Sequence, residues 1–200
     1  MVLLGLDEVG TGAWAGPVYV GGCILTPALR WRVRKRFKDP KKMSATRRED
    51  ALAFLVESDA WLCVESMEAW DMEKVGLSRA LDLLFTRIIE TARASFGPLP
   101  IILDGMPRRG ISYRHQTMVG GDDKVPEIMA AALVAKVERD REMVKLSHVT
   151  PGYGWKNNKG YGTKAHKNGL VHLGITEQHR NNRGVRKVIG SPGPFLVAET

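Results

Sequence analysis

Five acidic residues stand where an apolar or glycine-rich run stops: Asp7 and Glu8, Asp104, and Asp122 with Asp123. Side chains at the ends of secondary-structure elements can reach a shared cleft. Carboxylates gathered there repel, and a divalent cation relieves the repulsion. Oxygen ligands favour a hard ion such as Mg²⁺ or Mn²⁺, and no Cys/His set has zinc spacing. Two such ions roughly 4 Å apart suit in-line attack on a phosphodiester, stabilising the incoming and departing oxygens. Taken singly, an acid after an apolar run is as readily a cap or turn former. Asp7 and Glu8 pose a geometric problem, because neighbours on a regular strand face opposite ways. Both serve the same metals only if the strand breaks or twists at Glu8, which Gly10 permits.

The elements that must position these acids follow from periodicity. Val2–Leu6 and Val18–Leu25 read as strands around an irregular turn, Gly10–Pro17. Thr46 with Glu49 fits a capping box opening a helix, and Trp61–Glu65 reads as a third strand. Helical spacing runs over Ala69–Ala94, with an interruption at Gly76, and Leu77, Ala80, Leu81, Leu84 and Ile88 share one face. The run from Pro98 is a buried strand ending at Asp104, and His115–Val119 is a further strand. Pro126 opens a helix to about Lys145, with an alanine-rich face for close packing. Pro151–Gly162 is a glycine-punctuated loop, Lys164–His172 a short helix, and Ser191–Thr200 a mobile tail. Strands followed by alternating strands and helices predict one mixed α/β domain over residues 1–200.

The 200-residue chain carries a net charge of +8, unevenly spread. Arg30–Lys42 and Lys156–Lys187 each hold eight basic residues and one acid. Such segregation suits a polyanionic partner, and two solvated lysine-rich segments are the plainer reading. No apolar run has a membrane span's length. Cys23 and Cys63 sit among apolar or β-prone residues, as buried thiols of a reducing cytoplasm do, although sequence leaves a disulfide between them open.

The motifs resemble those of ribonuclease HII, the type 2 ribonuclease H family, over nearly the whole chain. Gly5-Leu-Asp-Glu-Val-Gly10 with Ala15-Gly-Pro-Val resembles its opening motif, and Asp39-Pro-Lys-Lys-Met-Ser44 a lysine-pair segment. Leu103-Asp-Gly105 resembles its second acidic motif. The longest match is Gly121-Asp-Asp-Lys-Val-Pro-Glu-Ile128, continuing to Asp140. Pro151-Gly-Tyr-Gly and Lys159-Gly-Tyr-Gly-Thr163 complete the series in the family's order.

The resemblance implies an α/β fold: a ribonuclease H-like core of mixed β-sheet flanked by helices (about 1–150), with a small helical C-terminal part (about 151–190). It implies a catalytic, metal-binding set of Asp7, Glu8, Asp104 and Asp122, with Asp123 capping the following helix. It implies hydrolysis 5′ to a ribonucleotide in duplex DNA or in RNA/DNA hybrids, giving 3′-hydroxyl and 5′-phosphate, by a cytoplasmic monomer using Mg²⁺ or Mn²⁺. Tyr161 matches the tyrosine that packs on sugar at the RNA–DNA junction. Gly10, Thr11 and Gly12 match the junction loop, Lys41 and Lys42 are phosphate contacts, and Lys124 orients the phosphate or balances the acids. Lys136, Arg139 and Arg141 are equally readable as solvated, paired or functional. His179 matches a family position, and His115, His148, His166 and His172 read as surface residues.

Thr11 departs from the family's Gly-Arg-Gly, and a hydroxyl supplies neither the charge nor the donor fork of a guanidinium. Pro40, Met106 and the His179-Arg-Asn-Asn-Arg183 run also depart. Two alternatives follow: a hybrid ribonuclease needing a longer ribonucleotide run, as in ribonuclease HIII, whose extra N-terminal domain this chain lacks, and a non-catalytic nucleic-acid-binding protein.

Overall fold

The computed structural model describes residues 2–37 and 43–190. Asp39, Pro40, Lys41 and Lys42 and the tail from Ser191 lie outside the described residues.

Five strands, β1 (Leu4–Val9), β2 (Val18–Ile24), β3 (Trp61–Met67), β4 (Ile101–Asp104) and β5 (Gln116–Met118), form one sheet in the order β3-β2-β1-β4-β5. The β1–β2 and β2–β3 pairs are antiparallel, whereas β1–β4 and β4–β5 are parallel. The mixed sheet expected from sequence is therefore present. Eight helices accompany it among the described residues: α1 (Pro27–Arg36), α2 (Ala45–Val56), α3 (Ala69–Val75), α4 (Leu77–Phe96), α5 (Pro126–Val149), α6 (Trp155–Asn158), α7 (Lys164–Leu173) and α8 (Arg183–Ile189).

Strand alternation divides the core. Leu4 and Leu6 of β1, with Val18 and Val20 of β2 and Leu103 of β4, bury against Leu81, Leu84, Phe85 and Ile88 of α4. On the other face Cys23 joins Leu29 and Val33 of α1, Leu52 and Leu55 of α2, and Ala130, Leu133 and Val134 of α5. α5 lies very close to the sheet: a Cβ on Gly5 would stand 2.5 Å from Ile128 N, so β1 tolerates only glycine there. A third cluster (Ala15, Met143, Tyr153, Trp155, Leu170 and Val185) seats the C-terminal helices on the end of α5.

Several boundaries differ from the sequence reading. The first strand runs on to Val9, because Asp7 and Glu8 continue the ladder opposite Gly21 and Val20. The interruption expected at Gly76 is present and separates α3 from α4, whereas α4 runs on to Phe96 and α5 to Val149. Ser44, not Thr46, caps α2, its side chain accepting from Arg47 N at 3.3 Å. α1 was hidden by its charge, although Thr26 as N-cap and Pro27 at the first turn are ordinary start signals. Cys23 and Cys63 are free and belong to opposite faces of the sheet, so they do not pair.

Candidate active site

The alternation that builds the core also aims the acids. Leu6 and Leu103 are register partners on the parallel strands β1 and β4, and both face α4. The next residues, Asp7 and Asp104, therefore face α5. The chain then passes through β5 into a 3-10 turn, Gly121–Asp123, that delivers Asp122 just before α5. One carboxylate oxygen from each of Asp7, Asp104 and Asp122 lies within 4.8 Å of the others. Asp7 and Asp122 are buried and Asp104 is half-buried.

The cluster is held by backbone donors. Gly121 N donates to Asp104 Oδ1 at 2.6 Å, and Glu8 N donates to Asp7 Oδ1 at 2.7 Å. Three convergent hard oxygens are a donor set that fits Mg²⁺ or Mn²⁺. Glu8 is not in the three-oxygen group, and the strand does not break to admit it; its register position belongs to the α4 face, opposite Val20. Asp123 is exposed beside the group and does not cap α5, whose N-cap is Val125. Lys124 is exposed, and its Nζ donates to Val119 O at 3.1 Å.

The Gly10–Thr11–Gly12 segment leaves β1 directly after the acidic pair. Gly10 has φ +89°, and a Cβ there would meet Arg139 Cδ at 2.7 Å. Gly12 faces Tyr161: a Cβ on it would lie 4.0 Å from Tyr161 Cε1. Gly12 and Tyr161, 149 positions apart in the chain, thus face each other, and Tyr161 is 37% exposed.

Two buried arginines shape this loop, and the sequence reading singled out neither for that role. Arg139 donates to Pro17 O (2.9 Å), Lys159 O (3.0 Å) and Ala15 O (3.3 Å), and its guanidinium carbon lies 5.6 Å from the Tyr161 ring centre. Arg180 donates to Gly16 O at 2.8 and 2.6 Å and to Gly10 O at 2.6 Å. Burial lowers the Arg180 pKa to about 9, helped by the Arg139 cation, so the guanidinium stays charged at neutral pH. Arg139 was findable, because Ala132, Ala135, Arg139 and Met143 form one helical stripe and all are buried. Lys136 pairs with Asp140 (2.7 Å), and Arg141 with Glu49 (2.5 Å) and Glu138 (2.6 Å). His166 corrects the surface expectation: like His179, it is buried.

Comparison with known proteins agrees with this geometry. The family model described as Ribonuclease HII matches residues 4–186. A ribonuclease HII of Jannaschia sp. is 38% identical over 191 residues, covering 90% of this chain and 88% of the relative. One from Pelagibacter ubique is 33% identical over 180 residues, covering 90% and 94% respectively. Among solved structures, ribonuclease H2 of Pyrococcus horikoshii superposes with a TM-score of 0.72 at 23% identity, covering 94% of this chain and 97% of that one. Bst-RNase HIII in complex with Mn²⁺ gives 0.77 at 18% identity, covering 94% and 69%. At those identities the structural likeness is one of fold.

Proposed function

The chain belongs to the ribonuclease HII family, hydrolases that cut the RNA of RNA/DNA hybrids as endonucleases, and from that membership we propose how its own residues divide the work. The observation that carries the proposal is the convergence of the Asp7, Asp104 and Asp122 oxygens within 4.8 Å.

Asp7, Asp104 and Asp122 would hold the divalent metal, two Mg²⁺ or Mn²⁺ ions in the full site. Glu8 is a fourth ligand on its motif position: the ladder does not break there, but Glu8 lies past the last β1–β4 register pair, Leu6 with Leu103, where its longer side chain would reach round the open edge of β1. A bound divalent cation supplies activated water and charge stabilisation at the departing oxygen. Water attacks the phosphorus on the 5′ side of a ribonucleotide, and the bond to the preceding 3′-oxygen breaks. That strand keeps a 3′-hydroxyl, and the ribonucleotide keeps the 5′-phosphate. Tyr161 packs on the ribose beside Gly10, Thr11 and Gly12, and its exposed ring next to Gly12 supports that role. Lys41, Lys42 and Lys124 contact phosphates, which fixes position without reading sequence.

The substrates are RNA/DNA hybrids and duplex DNA carrying ribonucleotides. The chain acts as one ribonuclease H-like domain, with residues 151–190 as its substrate-binding part, and as a cytoplasmic monomer. Among the described residues no helix is long and apolar enough to cross a membrane.

The test is the initial rate on an RNA/DNA hybrid across Mg²⁺ and Mn²⁺ concentrations, for wild type and the Asp7→Asn, Asp104→Asn and Asp122→Asn variants. Hybrid affinity is measured in chelator. Each variant is expected to lose rate by at least roughly a hundredfold and to keep hybrid affinity. Undiminished rates would remove the metal assignment.

A further inference from the structure

Behind Tyr161 lies a buried pair of histidines that the cleavage chemistry does not use. His166 on α7 and His179 in the loop before α8 approach with Nε2 to Nε2 at 3.1 Å. Trp14, Tyr153 and Trp155 enclose them, Trp14 with its ring centre 5.7 Å from that of His166.

Their protons follow from fixed donors. Thr176 N can only donate, and it lies 3.0 Å from His179 Nδ1, so that nitrogen accepts. A neutral His179 then carries its proton on Nε2 and points it at His166 Nε2. Trp155 Nε1, again only a donor, lies 3.2 Å from the same His166 Nε2. His166 therefore carries its proton on Nδ1, 3.1 Å from Tyr161 O. That carbonyl also accepts from Thr163 N at 2.8 Å, so both of its lone pairs are taken. Each hydrogen bond in the chain runs the same way, from the Thr176 amide to the Tyr161 carbonyl.

A proton added to His166 Nε2 would set three donors against each other, and one added to His179 Nδ1 would face the Thr176 amide. Burial lowers the pKa of both rings, and for His179 the neighbouring His166 adds to it. Tyr153 is the titratable side chain among the enclosing rings; its hydroxyl donates to Gly174 O, and burial raises its pKa. The turn at Tyr161 also meets the loop after β1, since Gly160 O accepts from Trp14 N (2.8 Å) and Ala15 N (3.2 Å).

We propose that His166 and His179, both neutral and with their protons directed toward Tyr161, are positioning residues that fix the Tyr161 main chain and so set its ring against Gly12 to read the ribose. The inference rests on the reading of Tyr161 as the sugar contact.

The experiment measures affinity in chelator for duplex DNA with and without one ribonucleotide, and takes the ratio as the ribose preference. Tyr161→Ala is expected to lose the preference. His166→Phe, which keeps ring volume and loses the donor, is expected to lower it roughly tenfold, the worth of one buried hydrogen bond. His166→Asn, whose amide donor falls near the Nδ1 position, is expected to restore most of it. A filler role alone would lower the melting temperature of both His166 variants and leave the preference unchanged. If Tyr161→Ala loses the preference while His166→Phe keeps it, the positioning role is overturned and the Tyr161 reading survives. If Tyr161→Ala keeps the preference, both fall. Nitrogen-15 NMR of the intact wild-type chain needs no variant. It should find His166 protonated on Nδ1 and His179 on Nε2, and the opposite tautomer at either ring overturns the proposal.

Discussion

The Gly121 amide donates to the Asp104 carboxylate at 2.6 Å, tying the turn that carries Asp122 to the end of the strand that carries Asp104. Asp104 is thus both a proposed metal ligand and the acceptor for the turn that carries its neighbour Asp122.

These two roles separate by substitution. Asp104→Asn keeps an acceptor for Gly121 and removes the charge, so cleavage is lost while the melting temperature changes little. Asp104→Ala also leaves that amide without its partner, and an additional loss of about 1–3 kcal/mol is expected in denaturant unfolding. Equal stability of the two variants would show that the hydrogen bond does not hold the turn.

The crowding of Asp7, Asp104 and Asp122 sets a stability signature for metal. Like charges within 4.8 Å disfavour the metal-free fold, and a cation that binds only the folded state stabilises it by mass action. Mn²⁺ should raise the wild-type melting temperature in a concentration-dependent way. Asp122→Asn should be at least as stable as wild type in chelator and should lose the Mn²⁺ response. A full Mn²⁺ shift in that variant would place the ion elsewhere.

How far this was legible in sequence depends on the residue. Asp7 and Asp104 each end an apolar run, so strand alternation alone carries them to one face. Asp122 and Asp123 were not separable, because the choice depends on a 3-10 turn that fixes which neighbour points inward. The continued ladder through Glu8 was hidden as well, since a glycine two residues on is equally consistent with a break. Arg139, Arg180 and His166 read as ordinary polar residues, because their burial is imposed by segments distant in sequence. Gly10, Ala15, Gly16, Pro17 and Lys159 supply the carbonyls that make two buried guanidiniums tolerable. The helical stripe through Arg139 was the one local sign.

The histidine pair gives the fold an acid-side weakness. Burial, then His166, lowers the His179 pKa from 6.5 to about 3. The unfolded chain therefore takes up the proton first, so the stabilisation is complete above pH 6.5 and is lost as pH falls toward 3. Unfolding free energy should decline by up to ~1.4 kcal/mol per pH unit across that window for this group. His179→Gln should flatten the slope, and an unchanged slope would mean that other groups carry it.

Thr11 precedes Gly12, the residue that faces Tyr161, and stands where the resembled motif has arginine. Thr11→Arg is expected to raise the cleavage rate on a single embedded ribonucleotide relative to a run of them, by restoring a charged donor fork beside the junction. An unchanged ratio would count against junction reading by this loop.

The most direct measurement maps the products formed from duplex DNA carrying one ribonucleotide, incubated with Mg²⁺ or Mn²⁺. Attack by water at the acidic site leaves a 3′-hydroxyl on the upstream deoxynucleotide and a 5′-phosphate on the ribonucleotide, and chelator abolishes it. A cut on the other side of the ribonucleotide that leaves a 2′,3′-cyclic phosphate and survives chelator would mean attack by the 2′-hydroxyl, and would contradict the account.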